Sequence, residues 1–481
     1  MKELCASILK CDMDEDLDYN DEQINELVNN FKAQADAGEV GYYDSDDLEV
    51  IAEELIFNYD LAYATEALEL GIRLYPRSFA FRILKVKKLL MEFEFETAGR
   101  ELDSIEMEFP PEAEFYVEKA FFVKVAGDDN DALPLLKKAY KLDPEHPEVN
   151  YMLGEEYLQH GDYQRALDHI CFAIDEDESF EEQLTTLSYA FEDESKHQDA
   201  IRFFSQLTER YPLSRCAWFG LGLAYSWAKE YESAIDAYQN VISLDEEAET
   251  AYFNIGNVYF EMKRYEDAIR YYQQAYELDE RDFHAVSGIG DSLLELGRNE
   301  EALEKYHEAW RIEPNTLDAI MGIITILKES GREDEAEIFI RKSLSLNSQS
   351  FELLFNLLPY YEGEDQIMKI KELFQYTLSQ AEDQEEFLKF FTMYCTANKE
   401  LRDMGIELLE AQFDNERVTL SLPYFLAALH FLNGQFTEAD HYFKTALIIN
   451  YPGHEMFLTL SPALAVDPMF QNLIENYKPL Q

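Results

Sequence analysis

Apolar residues recur along this chain with helical spacing, in paired runs separated by a few residues. In the segment TAYFNIGNVYFEM, Tyr252, Ile255, Gly256 and Tyr259 fall at i, i+3, i+4 and i+7, which is one face of a helix. Tyr265, Ala268, Ile269, Tyr272 and Ala275 repeat that periodicity after Met262–Arg264. Two such helices joined by so few residues predict an antiparallel hairpin. Alternation of period two is absent over any useful length, so β-structure does not compete.

The hairpin pattern recurs in fixed phase. Ala64, Ala98, Ala132, Ala166, Ala200, Ala234, Ala268, Ala302 and Ala336 form an unbroken series at a spacing of 34. Gly154, Gly222, Gly256 and Gly290 lie twelve residues before their alanines, and Tyr163, Tyr231 and Tyr265 three before. Pro76, Pro110, Pro144, Pro212 and Pro314 lie twelve after. With the alanine at position 20, nine regular units fill 45–350 and begin at 45, 79, 113, 147, 181, 215, 249, 283 and 317. Two divergent units occupy 351–419, with Ile370 and Met404 in the alanine column, and a final unit occupies 420–453.

Each column has a physical role. Small residues at positions 8, 20 and 27 let two helix axes approach, and bulky ones at 4, 7, 11, 17 and 24 fill the space around that contact. The proline near position 32 ends the second helix. One hairpin cannot bury its apolar stripe alone, so neighbours must stack and the ends need covers. Residues 1–44 supply an acidic segment and a capping helix with Ile24, Leu27, Val28 and Phe31 on one face. Within 454–481, Asp467-Pro468 opens a second cap carrying Phe470, Leu473 and Tyr477.

These columns resemble the tetratricopeptide repeat family over about 45–453, most closely in WFGLGLAY (218–225), YFNIGNVY (252–259) and the YESA and YEDA elements. The resemblance implies an all-α fold, an α-α superhelix: a right-handed solenoid of about twelve hairpins whose first helices line a concave groove. In the family, positions 2, 5, 9, 12 and 13 tend to face that groove. Carried over, these give Tyr189, Glu192 and Asp193; Phe219, Leu223 and Trp227; Phe253, Asn257, Phe260 and Glu261; and Asp291, Leu294 and Glu295. The expectation is an aromatic stripe flanked by carboxylates, with Asn257 able to bond a ligand's main chain. The same aromatics have a second reading as packing between neighbouring helices.

The 481 residues carry 98 acidic against 40 basic side chains, a net charge of -58. That surface repels phosphate backbones and anionic membranes, which excludes nucleic acid as a direct ligand and favours basic partners. The expected partner is a protein or peptide with apolar anchors and Lys/Arg neighbours. Lys87, Lys124, Lys328 and Lys389 stand one per distant repeat, so no clamp for a terminal carboxylate assembles.

No chemistry emerges from the motifs. The nine histidines show no metal-ligand spacing, no phosphate loop or nucleophile elbow occurs, and Ser287-Gly288-Ile289-Gly290 falls inside a first helix. The expectation is a non-enzyme with no cofactor and no metal. Cys5, Cys11, Cys171, Cys216 and Cys395 are scattered, as in a reducing compartment. No apolar run spans a membrane and the N-terminus does not resemble a signal peptide, so the cytoplasm is expected. A groove receptor is expected to be a monomer. The competing reading is a structural arm or self-associating platform that docks through 351–419, using Phe355, Tyr361, Phe387, Phe390, Phe391 and Tyr394.

Overall fold

The computed structural model describes residues 21–38, 41–110, 112–126, 132–191, 194–346, 353, 356–357, 366–380, 384–414 and 420–478. They are helical throughout, with no strand among them. Two compact units divide the chain, Met1–Val258 and Tyr259–Gln481.

In the first unit the helices are α1 (Asp21–Ala37), α2 (Ser45–Phe57), α3 (Leu61–Leu74), α4 (Ala80–Met91), α5 (Phe95–Glu108), α6 (Ala113–Ala126), α7 (Leu133–Leu142), α8 (Pro147–Gln159), α9 (Tyr163–Glu176), α10 (Leu184–Leu187), α11 (His197–Arg210), α12 (Arg215–Trp227) and α13 (Tyr231–Leu244). Consecutive helices pair as hairpins, and first helices also pack on the next first helices, α2 on α4 and α4 on α6. Ile24, Val28 and Phe31 of α1 are buried against the first hairpin. Helix α14 (Glu249–Glu261) carries the boundary between the units.

The second unit continues with α15 (Tyr265–Leu278), α16 (Phe283–Glu295), α17 (Asn299–Ile312), α18 (Leu317–Glu329), α19 (Glu333–Leu346), α20 (Gln366–Gln380), α21 (Gln384–Ala397), α22 (Arg402–Asp414), α23 (Leu422–Leu432) and α24 (Phe436–Ile449). Short helices α25 (His454–Thr459), α26 (Pro462–Val466) and α27 (Pro468–Asn476) close it. Phe470 of α27 inserts among Phe431, Phe443 and Phe457, with ring centroids 4.7–4.9 Å away.

The alanine column marks the closest helix approach: Ala64, Ala98, Ala166, Ala200, Ala234, Ala268, Ala302 and Ala336 are all fully buried. The bulky residue at position 24 explains the glycines. A Cβ on Gly222 would sit 2.5 Å from the Tyr238 ring, and one on Gly154 2.4 Å from Ile170. Tyr306 is bounded on two sides, since a Cβ on Gly290 of its own hairpin or on Gly322 of the next would lie 2.8 or 2.5 Å from it. Gly220 and Gly288, at position 6, relate in the same way to Phe204 and Tyr272 of the preceding unit.

Position 15, in the tight turn between the helices, has left-handed backbone in unit after unit. Gly161, Gly297, Gly331 and Gly434 adopt φ of 73–81°, whereas Tyr59, Phe93, Lys229 and Lys263 take φ of 58–61°. Glycine enters that region freely and side-chain-bearing residues do so at a cost.

One unit departs from the expected regular hairpin. The first half of 181–214 is no continuous helix: Glu178–Gln183, Ser188–Phe191 and Glu194–Lys196 are 3₁₀ turns around the one-turn α10. Hydroxyl bonds accompany the change. Thr186 Oγ donates to the Gln183 carbonyl at 2.7 Å and Ser188 Oγ to the Thr185 carbonyl at 2.6 Å, reinforcing contacts three residues apart. Ser188 also occupies the column where neighbouring units place glycine.

Candidate functional site

On α12, Phe219, Leu223 and Trp227 recur at i, i+4 and i+8, and so share one face; all three are half-buried. Phe219 meets the Tyr238 ring edge-on at 5.6 Å, and Trp227 stacks on His197 at 5.8 Å with 27° between planes. Both rings are held from behind while keeping a solvent-facing side. On α14, Phe253 and Asn257 are four residues apart and half-buried. Tyr189 stands apart from these on a 3₁₀ turn, 69% exposed. Glu192 and Asp193 lie outside the described residues.

The candidates in the second unit are more polar. Phe260 packs edge-on against Tyr265 at 5.3 Å, and the Tyr265 hydroxyl donates to Glu295 at 3.1 Å. Glu261 and Glu295 are exposed, and Leu294 is half-buried. Asp291 accepts a 2.6 Å hydrogen bond from the Tyr306 hydroxyl. Burial pushes the Asp291 carboxyl above the ordinary carboxylate range, the Tyr306 bond opposes that, and Asp318 and Glu295 add to the rise. The Tyr306 hydroxyl is itself raised by burial, by the Asp291 charge and by donating to it. Asp318, at position 2 of its unit, was not among the sequence candidates. Its signal is a carboxylate one unit beyond Asp291 in a groove-facing column.

The first unit's early hairpins use their inner charges on each other. Lys87 and Glu118, with side chains 7% and 6% exposed, approach to 3.4 Å. Lys124 reaches Glu155 at 3.2 Å and Glu156 at 3.3 Å. Burial lowers the Lys124 ammonium, but the two carboxylates outweigh it and hold the ammonium above its usual value. Two of the four lysines that the sequence placed in the groove are therefore neutralised internally.

The divergent stretch also differs from the docking expectation. Phe387 and Phe391 are 2% exposed, gathered around Phe374 with centroids 6.0 and 4.4 Å away. They belong to the core because α20, α21 and α22 bury their apolar faces on one another. Phe390 and Tyr394 are half-buried, and Phe355 and Tyr361 lie outside the described residues.

Reactive groups do not converge. Among the described residues no cluster of three or more His, Cys, Asp or Glu side chains is arranged to hold a metal. Burial raises the thiols of Cys171, Cys216 and Cys395, the last to about 12, so they are weak nucleophiles near neutrality. No described helix is long and apolar enough to cross a membrane.

Tetratricopeptide repeat profiles match residues 213–281 and 247–315, and a second such profile matches 126–170. None of the curated proteins is similar in sequence to the chain. Solved structures with a similar arrangement include MamA, at 24% identity over 41% of this chain and 94% of that one, with a TM-score of 0.26. They also include YrrB, described as a TPR protein with an unusual peptide-binding site, at 18% identity over 46% and 96%, TM-score 0.28. The C-terminal part of a TPR repeat-containing protein from Cytophaga hutchinsonii is 14% identical over 57% and 99%, TM-score 0.36.

Proposed function

This chain is a tetratricopeptide repeat protein, and from that premise we propose that it is a non-catalytic interaction scaffold that receives segments of a partner protein on its first-helix faces. The observation that carries this reading is the row Phe219, Leu223 and Trp227 on α12, with two rings braced from behind by Tyr238 and His197. Rigid aromatics with one open side are suited to anchoring apolar side chains, because little rotamer freedom remains to be lost on binding. Phe253 extends that apolar character on α14, and Asn257 offers both a donor and an acceptor to a peptide main chain.

The second unit's face, with Phe260, Glu261, Asp291 and Glu295, calls for a different complement. Its carboxylates attract Lys or Arg on the partner, steering encounter more than adding affinity. Segments received on the first unit therefore carry apolar anchors and those received on the second carry basic residues, and no cofactor or metal is required.

The test is selection of peptides from a random display library on the full chain, followed by affinity measurement with variants. Enrichment of apolar-basic sequences, and a loss of about tenfold or more in affinity for Trp227→Ala or Phe253→Ala with unchanged helicity, supports the proposal. Selected peptides that bind both variants as tightly as the parent would remove the aromatic face from consideration.

A further inference from the structure

Lys137, Lys138 and Lys141 lie on the exposed side of α7, whose ten residues include no Asp or Glu. In a chain of net charge -58, exposed cations ordinarily find carboxylates, as Arg264, Arg298 and Arg332 do within their own turns. No described carboxylate lies within ion-pair distance of these three lysines, and two of them sit over aromatic rings instead. Lys137 Nζ is 5.4 Å from the Tyr157 ring centroid, and Lys138 Nζ is 5.2 Å from that of Tyr116. The Arg165 guanidinium, 5.1 Å from the same Tyr157 ring, adds a fourth cation, although it also pairs with Asp162 at 3.1 Å. Rings of the adjacent helices thus fix the ammonium groups without neutralising them.

No other regular unit has three cations at these positions; the unit at 317 has two, Arg341 paired with Glu337 and Lys342 over the Trp310 ring. The same three positions hold Cys171, Phe172 and Asp175 in the next unit, and Gln239, Asn240 and Ser243 two units further on. We propose that the outer face of α7, with Arg165 beside it, is a docking surface for a short Asp/Glu-rich segment of a partner protein, separate from the first-helix faces. Charge complementarity selects the occupant, and size selects a short peptide over an extended polyanion. The lysines span little more than one helical turn, about 6 Å along the axis. An anionic membrane or a nucleic acid would have to meet the surrounding acidic surface as well, whereas at physiological salt a short segment feels charges only within about 8 Å.

The experiment titrates the full chain with a short fluorescein-labelled Glu/Asp-rich peptide, at low and physiological salt. Saturable binding that weakens with salt, and that falls about tenfold in Lys137→Ala/Lys138→Ala/Lys141→Ala, supports the proposal. The control Arg270→Ala/Arg281→Ala/Lys305→Ala changes net charge equally on other outer surfaces and should bind as the parent does. Equal losses in both triple variants would reduce the effect to net charge and overturn the site. So would absence of saturable binding by the parent, or retention on phosphatidylserine vesicles without peptide binding. If the triple variant loses helicity, Lys141→Ala alone carries the test, with a loss of about threefold expected and an unchanged affinity overturning the proposal.

Discussion

The Tyr306 hydroxyl donates to Asp291 Oδ1 at 2.6 Å, while its ring fills the space that Gly290 and Gly322 leave open. One side chain thus sets the spacing of two successive first helices and orients the Asp291 carboxylate. Tyr306→Phe keeps the wedge and deletes the donor. It should cost about 1–3 kcal/mol, the range for losing a hydrogen bond to a charged group. Gly322→Ala acts on the other function, driving a methyl group into the ring. Urea denaturation of both variants checks the pair, and an unchanged midpoint for Gly322→Ala would contradict the wedge.

Asp291 gives the same cluster a pH signature. Its folded-state pKa is raised, chiefly by burial. The native state therefore holds the proton more tightly than the unfolded chain does, and this contribution to stability is lost as pH rises through the folded value. Asp291→Asn retains an acceptor for Tyr306 and cannot ionise. The variant should melt above the parent at neutral pH, and the gap should close as pH falls below the ordinary carboxylate range. Melting curves across that range, recorded for both proteins, decide it.

A third expectation concerns the turn between helices. Lys229 and Lys263 adopt φ of 60° and 58° where Gly297 and Gly331 take 75° and 73°. Lys263→Gly should stabilise the protein by about 1 kcal/mol by relieving left-handed strain, partly offset by the greater freedom of glycine in the unfolded chain. Gly297→Ala should destabilise by a similar amount. Both substitutions are read by denaturant midpoint, and the opposite signs are the point of the comparison.

That column shows where sequence reasoning stops. The alanine and Gly154, Gly222 and Gly290 columns are legible because side-chain volume alone decides them, and the same residue type recurs. Position 15 is decided by backbone dihedral, and Tyr59, Phe93 and Lys229 conceal there what Gly161 would reveal. The 3₁₀ turns at Glu178–Gln183 and Ser188–Phe191 hide for another reason. Leu184, Leu187 and Phe191 keep apolar spacing that suits an α-helix equally well, so the periodicity does not reveal the 3₁₀ turns. That Phe219, Leu223 and Trp227 share one helix face follows from their spacing, whereas the pairing that occupies Lys87 and Lys124 depends on which acid the next helix brings within reach.

Lys87 and Glu118 provide the next test. Both side chains are almost fully buried, so water screens the attraction between the two charges very little. Lys87→Met should cost about 3–5 kcal/mol by removing the cation that faces a buried carboxylate. Adding Glu118→Leu should recover much of that, because an apolar pair of similar volume avoids desolvating either ion. A double variant no more stable than the single one would show that the pair does not act as a unit.

The last prediction concerns the end of the second unit. Phe470 is fully buried, and its ring touches Phe431, Phe443 and Phe457 at once. Its helix α27 begins at Pro468 and is capped by Asp467, whose carboxylate accepts from the Met469 amide at 2.8 Å. Nine residues form too short a helix to persist unaided, so α27 owes its order to the aromatic cluster it covers. Phe470→Ala should therefore cost about 3–5 kcal/mol locally, and Asp467→Ala only about 1 kcal/mol. Because stacked hairpins unfold in nearest-neighbour fashion, the loss should appear first in α23 and α24. Amide hydrogen exchange resolves this: protection should fall in 422–449 while 249–346 keeps its parental rates. A uniform loss along the whole chain would mean that α27 does not act as a local cover.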